Sequence, residues 1–332
     1  MPNNTRQAGI VGIGSAVPDK ILTNADLEKL VDTTDEWIKT RSGICERRIG
    51  TDQTAASDLA TEAARAALAS AGMGAEALDL IIVATVTGDS PIPSTASLVQ
   101  HRIGSPRTPA FDLSAGCSGF VYALSVARGL VASGLHTNIL VVGVDMLSRV
   151  TNWQDRTTCV LFGDGAGAAI VSPVGEGEGI LSFCLGSDGS RGDLLRIRAG
   201  GSRLPASAQT VQDGLHSIEM SGREVFKFAV RIMGDAAVEA LEKCGLTPAD
   251  VDLFIPHQAN IRIIEAAARR LELPDEKVFI NVQKYGNTSA GSIPLAMDEA
   301  YRSGLVKKGD LVVLVGFGAG LTWAAAALRW AM

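Results

Sequence analysis

Apolar positions along this chain follow two rhythms. Residues 9–15 (GIVGIGS), 80–87 (LIIVATVT), 139–143 (ILVVG) and 311–315 (LVVLV) are apolar or small at nearly every position. A strand with one wet face would alternate, so these runs predict strands covered on both sides. Residues 54–71 (TAASDLATEAARAALASA) instead space their apolar side chains at helical intervals. Strands and helices in alternation predict an α/β fold of stacked layers.

One section occurs twice. Residues 67–84 laid over 240–257 match without a gap at an offset of 173, with identities at Ala67/Ala240, Leu68/Leu241, Gly72/Gly245, Asp79/Asp252, Leu80/Leu253 and Ile82/Ile255. Both copies read as a helix end, a glycine stop, a short acidic loop and a buried strand. The same offset lays residues 139–143 over 312–316 (VVLVG). A shared offset for two matches predicts a duplicated unit, divided near the glycine-rich stretch 175–179 into halves 1–175 and 176–332. Strands apolar on both faces then predict five layers: helix, sheet, helix, sheet, helix.

Composition narrows the function. Thirty basic against 36 acidic residues leave a net charge of −6, which argues against a general nucleic-acid binder. The five cysteines are scattered without a CxxC pair and the four histidines without HxxxH spacing, so neither a disulfide framework nor a metal site is expected. No run approaches the roughly 20 apolar residues of a membrane helix. The start, MPNNTRQAG, lacks the basic and apolar stretches of a secretion signal, and a cytoplasmic location is expected.

Four segments could carry chemistry. In residues 111–124 (FDLSAGCSGFVYAL) a short strand passes through a turn of small residues into a helix, with Cys117 at the junction. A helix N-terminus favours thiolate, which predicts a lowered thiol pKa and a nucleophile. Cys45, Cys159, Cys184 and Cys244 read as buried space-fillers. The repeated strand 252–255 runs through Pro256 into His257, whereas His101, His136 and His216 sit in undistinguished places. Residues 284–292 (KYGNTSAGS) repeat the strand, turn and helix pattern; the offset lays Cys117 over Ala290 and puts Asn287 at the mirror-image junction. Residues 316–320 (GFGAG) end the last long strand and offer backbone N–H groups to an oxyanion. Phosphate cradles are disfavoured: no GxxxxGK[ST] occurs, and Val17 stands where GxGxxG needs its third glycine. Phe120 likewise breaks a GxSxG elbow.

Taken together, DLSAGCSGF, PHQANIR, YGNTSAGS and GFGAGLTW resemble the motifs of the β-ketoacyl-acyl carrier protein synthase III family of the thiolase-like superfamily. The likeness runs the length of the chain and includes residues 35–38 (DEWI), 41–44 (RSGI), Asp155-Arg156 and 161–167 (LFGDGAG). It implies a five-layered αβαβα thiolase-like fold and a homodimer that condenses an acyl-CoA primer with malonyl-acyl carrier protein, releasing carbon dioxide and starting fatty-acid synthesis without a cofactor. By this resemblance Cys117 is the nucleophile, the N–H groups of Cys117 and Ala319 form the oxyanion hole, and His257 and Asn287 bind the malonyl thioester carbonyl. Trp37 and Arg156 sandwich the CoA adenine, Arg41 meets a CoA phosphate, and Gly222 and Asn260 lie along the CoA path. Ile92 closes the floor of the partner's acyl tunnel, which Leu147 and Phe162 line.

Two positions depart from the family pattern. Ala319 stands between Gly318 and Gly320 where many relatives have three glycines, and Arg223 replaces an expected Asn after Gly222. Arg223, Lys227 and Arg231 recur at i, i+4 and i+8, and Arg262 and Arg269 share a face of the next helix. With Gln258, Ala259, Asn260 and Ile261 they form the expected dock for an acidic carrier protein. Alternatives from the same chemistry are a CoA-dependent acyltransferase or condensing enzyme of secondary metabolism; an idle carrier-binding homologue is a third. No nucleic-acid or membrane partner is expected.

Overall fold

The computed structural model describes residues 6–332, so the reading of the chain's start rests partly on residues outside the described ones. Nine strands make the two main sheets. β1 (Ala8–Ala16), β2 (Leu80–Ala84), β3 (Ala110–Leu113), β4 (Ile139–Met146) and β5 (Asp164–Pro173) lie in the order β1–β5–β4–β2–β3. β6 (Gly179–Ser187), β7 (Leu253–Pro256), β8 (Leu311–Gly318) and β9 (Thr322–Arg329) lie in the order β7–β8–β9–β6. The helices that bear on the site are α1 (Asp35–Ser42), α2 (Ala56–Ser70), α3 (Gly119–Ala132), α4 (Gly222–Glu242), α5 (Ile261–Arg270) and α6 (Ser292–Arg302).

The offset of 173 holds in three dimensions. Leu80 pairs with Ile139 across parallel β2 and β4, and Leu253 with Val312 across parallel β7 and β8, the same register displaced by 173. The two aspartates ahead of these strands do the same work. Asp79 donates its N–H to the Asn138 carbonyl (2.8 Å) and its carboxylate accepts from Asn138 N–H (3.0 Å). Asp252 does both with Leu311, at 2.9 and 2.8 Å. β3 has only a single-bridge counterpart, Phe254 with Val278, so the second sheet is one strand narrower.

Burial explains the unbroken apolar strands. Successive residues point to opposite faces. Ile81, Val83, Leu140 and Val142 pack under α2, while Ile82 and Val141 face α3 and α6, which fill the space between the sheets with Phe120, Leu124, Ile293 and Met297. Ile255 and Leu314 reach the same central layer, and Phe254, Val313 and Val315 face α4. The five layers are therefore α2, first sheet, α3 with α6, second sheet, and α4. Phe120 is fully buried in the middle layer, where truncation to alanine would cost about 3–5 kcal/mol.

Three expectations change. The stretch ahead of Asn287, expected as a strand, is a short helix, Val282–Tyr285. β2 stops at Ala84 instead of 87: the Thr85 N–H still bonds the Leu113 carbonyl of β3 (3.2 Å), but the N–H groups of Val86 and Thr87 turn to the Asp145 carboxylate at 2.8 and 3.1 Å. The glycine-rich 316–320 does not end the last strand: β8 runs on to Gly318 and the chain returns as alanine-rich β9, paired antiparallel with it.

Candidate active site

Cys117 sits in a single 3-10 turn, Gly116–Ser118, between β3 and α3, and an equal turn, Ser289–Gly291, precedes α6. Both are entered through left-handed backbone, φ +56° at Gly116 and +51° at Ser289, again 173 residues apart. Gly116 meets a second constraint, since a Cβ there would lie 2.8 Å from the Ala319 nitrogen. The turns interlock with the opposite sheets. A Cβ on Gly143 in β4 would overlap the Ala290 carbonyl, and one on Gly316 in β8 would stand 3.3 Å from the Ser118 Cα. A Cβ on Gly318 would overlap the Cys117 nitrogen, so the end of β8 fits against the cysteine turn only as glycine.

Cys117, His257, Asn287 and Ala319 meet in the wall of one cavity of about 270 Å³. Leu147, Phe162, Gly222, Ala259 and Asn260 line it as well. β7 delivers His257 through Pro256, and the His257 N–H donates to the Val315 carbonyl of β8 (2.7 Å). Asn287 is fixed at both backbone ends, donating to Leu161 (2.9 Å) and accepting from Gly163 (3.0 Å). Buried Arg47 holds that segment by donating to the Val160 carbonyl (2.8 Å). Asn287 Oδ1 accepts from the Ser289 N–H (2.9 Å), which leaves its Nδ2 as the end with donors to offer.

Burial governs the electrostatics. His257 is 1% exposed, and loss of water lowers its pKa to about 4, so the ring is neutral. Its Nδ1 lies 2.5 Å from Ser292 Oγ. Desolvation acts against the expected lowering of the Cys117 pKa. Desolvation pushes the thiol up to about 12, the nearby Asp145 adding to the rise, against the Ser289 hydroxyl and the cysteine's own N–H. The helix N-terminus, worth about 1 kcal/mol, and desolvation thus act on the thiol in opposite senses. Asp145 is itself buried and its pKa raised by desolvation, although it accepts from Thr85, Val86, Thr87 and Ala290.

Other expected residues are distributed differently. Trp37 and Arg156 lie outside the cavity wall and touch each other, the guanidinium 5.0 Å from the ring centroid. Arg41 is exposed on α1, and its carbonyl accepts from Asn260 Nδ2 (2.9 Å). Ile92 is 86% exposed and lies apart from its own chain's cavity. Arg223, Lys227, Arg262 and Arg269 are all exposed; Lys227 pairs with Glu224 (3.0 Å), and Arg262 covers the Phe226 ring at 5.3 Å. Ile261 is half-buried against Gly43.

Three readings are refined. Gln258 is not a docking contact: it is 1% exposed, donates to the Pro256 and Phe279 carbonyls and accepts from the N–H groups of Asn281 and Val282. Asn260 has both amide ends occupied, one by Arg41 and the other capping α5 at the Arg262 N–H (2.9 Å). Ala319 lies outside the left-handed region and keeps its methyl without strain, whereas Gly320 has φ +141°.

Sequence reading missed Ser289, Asp145 and Ser292, together with an antiparallel ribbon, Leu195–Ile197 with Ile218–Met220, whose apolar residues face the cavity. Only for Ser289 was there a signal, its position 173 residues beyond Gly116. Among the described residues no helix is long and apolar enough to cross a membrane, and no three His, Cys, Asp or Glu side chains are grouped to hold a metal.

The family described as 3-oxoacyl-[acyl-carrier-protein (ACP)] synthase III matches residues 111–189, and its C-terminal counterpart matches residues 241–330. The beta-ketoacyl-[acyl-carrier-protein] synthase III of Caldanaerobacter subterraneus subsp. tengcongensis is 59% identical over 97% of this chain and 98% of that protein. The enzyme of the same description from Clostridioides difficile is 54% identical over 99% and 100%. The crystal structure of 3-oxoacyl-[acyl-carrier-protein] synthase III from Aquifex aeolicus matches with a TM-score of 0.91 at 49% identity, covering 97% of this chain and 100% of that one. The priming β-ketosynthase of the R1128 polyketide pathway matches with a TM-score of 0.92 at 37% identity, covering 100% and 98%. Identity of this extent, on a fold whose duplicated halves bring a cysteine, a histidine and an asparagine to one cavity, places the chain in the β-ketoacyl-acyl carrier protein synthase III family of thiolase-like acyltransferases.

Proposed function

We propose that this enzyme condenses an acyl-CoA primer, acetyl-CoA or a similar thioester, with malonyl-acyl carrier protein, giving a 3-oxoacyl-acyl carrier protein and starting fatty-acid synthesis. The observation that carries this reading is the meeting of one sulfur, one neutral imidazole and one carboxamide in a single, mostly apolar cavity. Half 1–175 supplies the sulfur, and half 176–332 the other two groups.

In the first half-reaction Cys117 attacks the thioester carbonyl, and the N–H groups of Cys117 and Ala319 receive the oxyanion. The Cys117 S–H bond breaks as the S–C bond forms. The proton leaves on the CoA sulfur, so acyl-enzyme and free CoA thiol complete the step. Malonyl thioester then enters. Its carboxylate departs as carbon dioxide, and the electron pair left behind becomes an enolate whose oxygen accepts from His257 Nε2–H and Asn287 Nδ2–H. The enolate carbon attacks the acyl-Cys117 carbonyl, the sulfur leaves, and one proton from solvent restores the thiol. Removing either donor should slow decarboxylation roughly a hundredfold, the effect of about 3 kcal/mol per preorganised donor. Every atom and charge is placed without a metal or organic cofactor.

In this reading Trp37 and Arg156 take the CoA adenine between them, which requires their 5.0 Å contact to open to about 7 Å, two van der Waals spacings. Arg41 meets a CoA phosphate, with Gly222 and Asn260 along the entrance. Leu147 and Phe162 line the acyl tunnel, and Ile92 closes the partner's tunnel in a homodimer, a role supported by its exposure in the single chain. Arg223, Lys227, Arg262 and Arg269 receive the acidic carrier protein in the cytoplasm.

The likeness to a priming polyketide ketosynthase favours a second reading, the same acyl-cysteine chemistry starting a secondary-metabolic chain. Intact-protein mass spectrometry tests both. Incubation with acyl-CoAs of graded length should add an acyl mass that Cys117→Ser abolishes, and malonyl-acyl carrier protein should discharge it with release of carbon dioxide. No adduct, or discharge without carbon dioxide, overturns the assignment.

A further inference from the structure

We infer that Ser292 is a positioning residue for the condensation step, holding His257 in its Nε2–H tautomer through a hydrogen-bond chain that starts at the Gln258 backbone. The inference rests on the reading of His257 as a donor to the malonyl carbonyl. Ser292 is the first residue of α6 and is 1% exposed. Its Oγ lies 3.1 Å from the Gln258 nitrogen and 2.5 Å from His257 Nδ1. A backbone N–H only donates, so Oγ accepts there, and the hydroxyl's single proton remains to be placed. Of the two bonded neighbours only Nδ1 can accept it. A neutral imidazole that accepts at Nδ1 carries its proton on Nε2, the nitrogen left to the cavity that His257 lines. In the other tautomer Oγ would accept twice and its own proton would be buried without a partner, a costly arrangement.

The start of the chain is itself anchored. The Gln258 side chain is tied to the Pro256 and Phe279 carbonyls and to the N–H groups of Asn281 and Val282, so the backbone N–H that fixes Ser292 has little freedom. Position 119, the counterpart of Ser292 in the cysteine half, is glycine. The hydroxyl is therefore a property of the half that carries the histidine, not a requirement of the repeated turn. One consequence concerns the first half-reaction. To take the Cys117 proton, Nε2 would have to give up the tautomer that Ser292 enforces, so the serine reserves His257 for the malonyl step.

Nitrogen-15 NMR of the whole enzyme labelled at histidine tests this directly, with the His257 signals assigned by their loss in His257→Ala. The expected spectrum has the ring proton on Nε2; a proton on Nδ1 overturns the inference without any further variant. Ser292→Ala should mix the tautomers, slow decarboxylation and condensation about tenfold, the effect of one hydrogen bond, and leave acylation of Cys117 within twofold. On a His257→Ala background the same change should add nothing, because a positioning residue acts through the ring. Equal loss in both half-reactions, or an additive loss in the double variant, also overturns it. Wild-type enzyme that fails to acylate or to release carbon dioxide strikes the proposed function instead, and that control is read separately.

Discussion

At His257 loss of water lowers the pKa from 6.5 to about 4. The unfolded chain binds this proton below about pH 6.5 and the folded chain only below about 4. Stability from this group is complete above pH 6.5 and is lost as the pH falls toward 4. Integrated to pH 5 the loss is about 2 kcal/mol. Denaturant midpoints at pH 7 and pH 5 should therefore separate further for wild type than for His257→Gln; equal separations would mean that the ring protonates as freely as an exposed one. Burial acts in the other protonation sense at Cys117, raising its pKa to about 12. Alkylation of Cys117 by iodoacetamide should keep accelerating from pH 7 to pH 10. Levelling near pH 7 would mean that the helix terminus outweighs desolvation.

Among the elements, the end of β8 and the cysteine turn form the tightest fit. Gly318→Ala places a methyl on the Cys117 nitrogen, and the expected result is a stability loss of about 2 kcal/mol with severely reduced acylation. Ala319→Gly, one residue on, should lower stability by only about 0.4–1 kcal/mol through unfolded-state entropy and retain acylation. Denaturant melts and acyl-CoA mass shifts measure both. Strands, layers and the two turns were legible in the sequence because burial on both faces removes polar alternation and because small residues cluster where backbones cross. Cys117, His257 and Asn287 stood at such junctions. The left-handed backbone of Ser289 was marked only by its place 173 residues beyond Gly116, since nothing about a serine itself requires it. Gln258 read as a surface residue because a polar side chain in a loop carries no mark of the four partners that bury it. The cavity ribbon escaped notice because strands of three residues are too short to show a period.

For the whole molecule, a net charge of −6 does not prevent attraction of an acidic partner, because charges more than about 10 Å apart are largely screened at 0.1 M salt. The exposed Arg223, Lys227, Arg262 and Arg269 then count locally. The KM for malonyl-acyl carrier protein should rise with ionic strength and rise less for malonyl-CoA; a flat response for the carrier-bound substrate removes the docking surface. A last consequence follows from the crossing glycines. Gly143 makes room for the turn of the second half, and Gly316 and Gly318 for that of the first, so each reactive bend takes its shape from a sheet built by the opposite part of the polypeptide. Severed in the connection before β6 and produced as two polypeptides, the enzyme would consist of pieces inert by themselves. Turnover recovered on mixing would count reunited molecules, making the pair a split reporter.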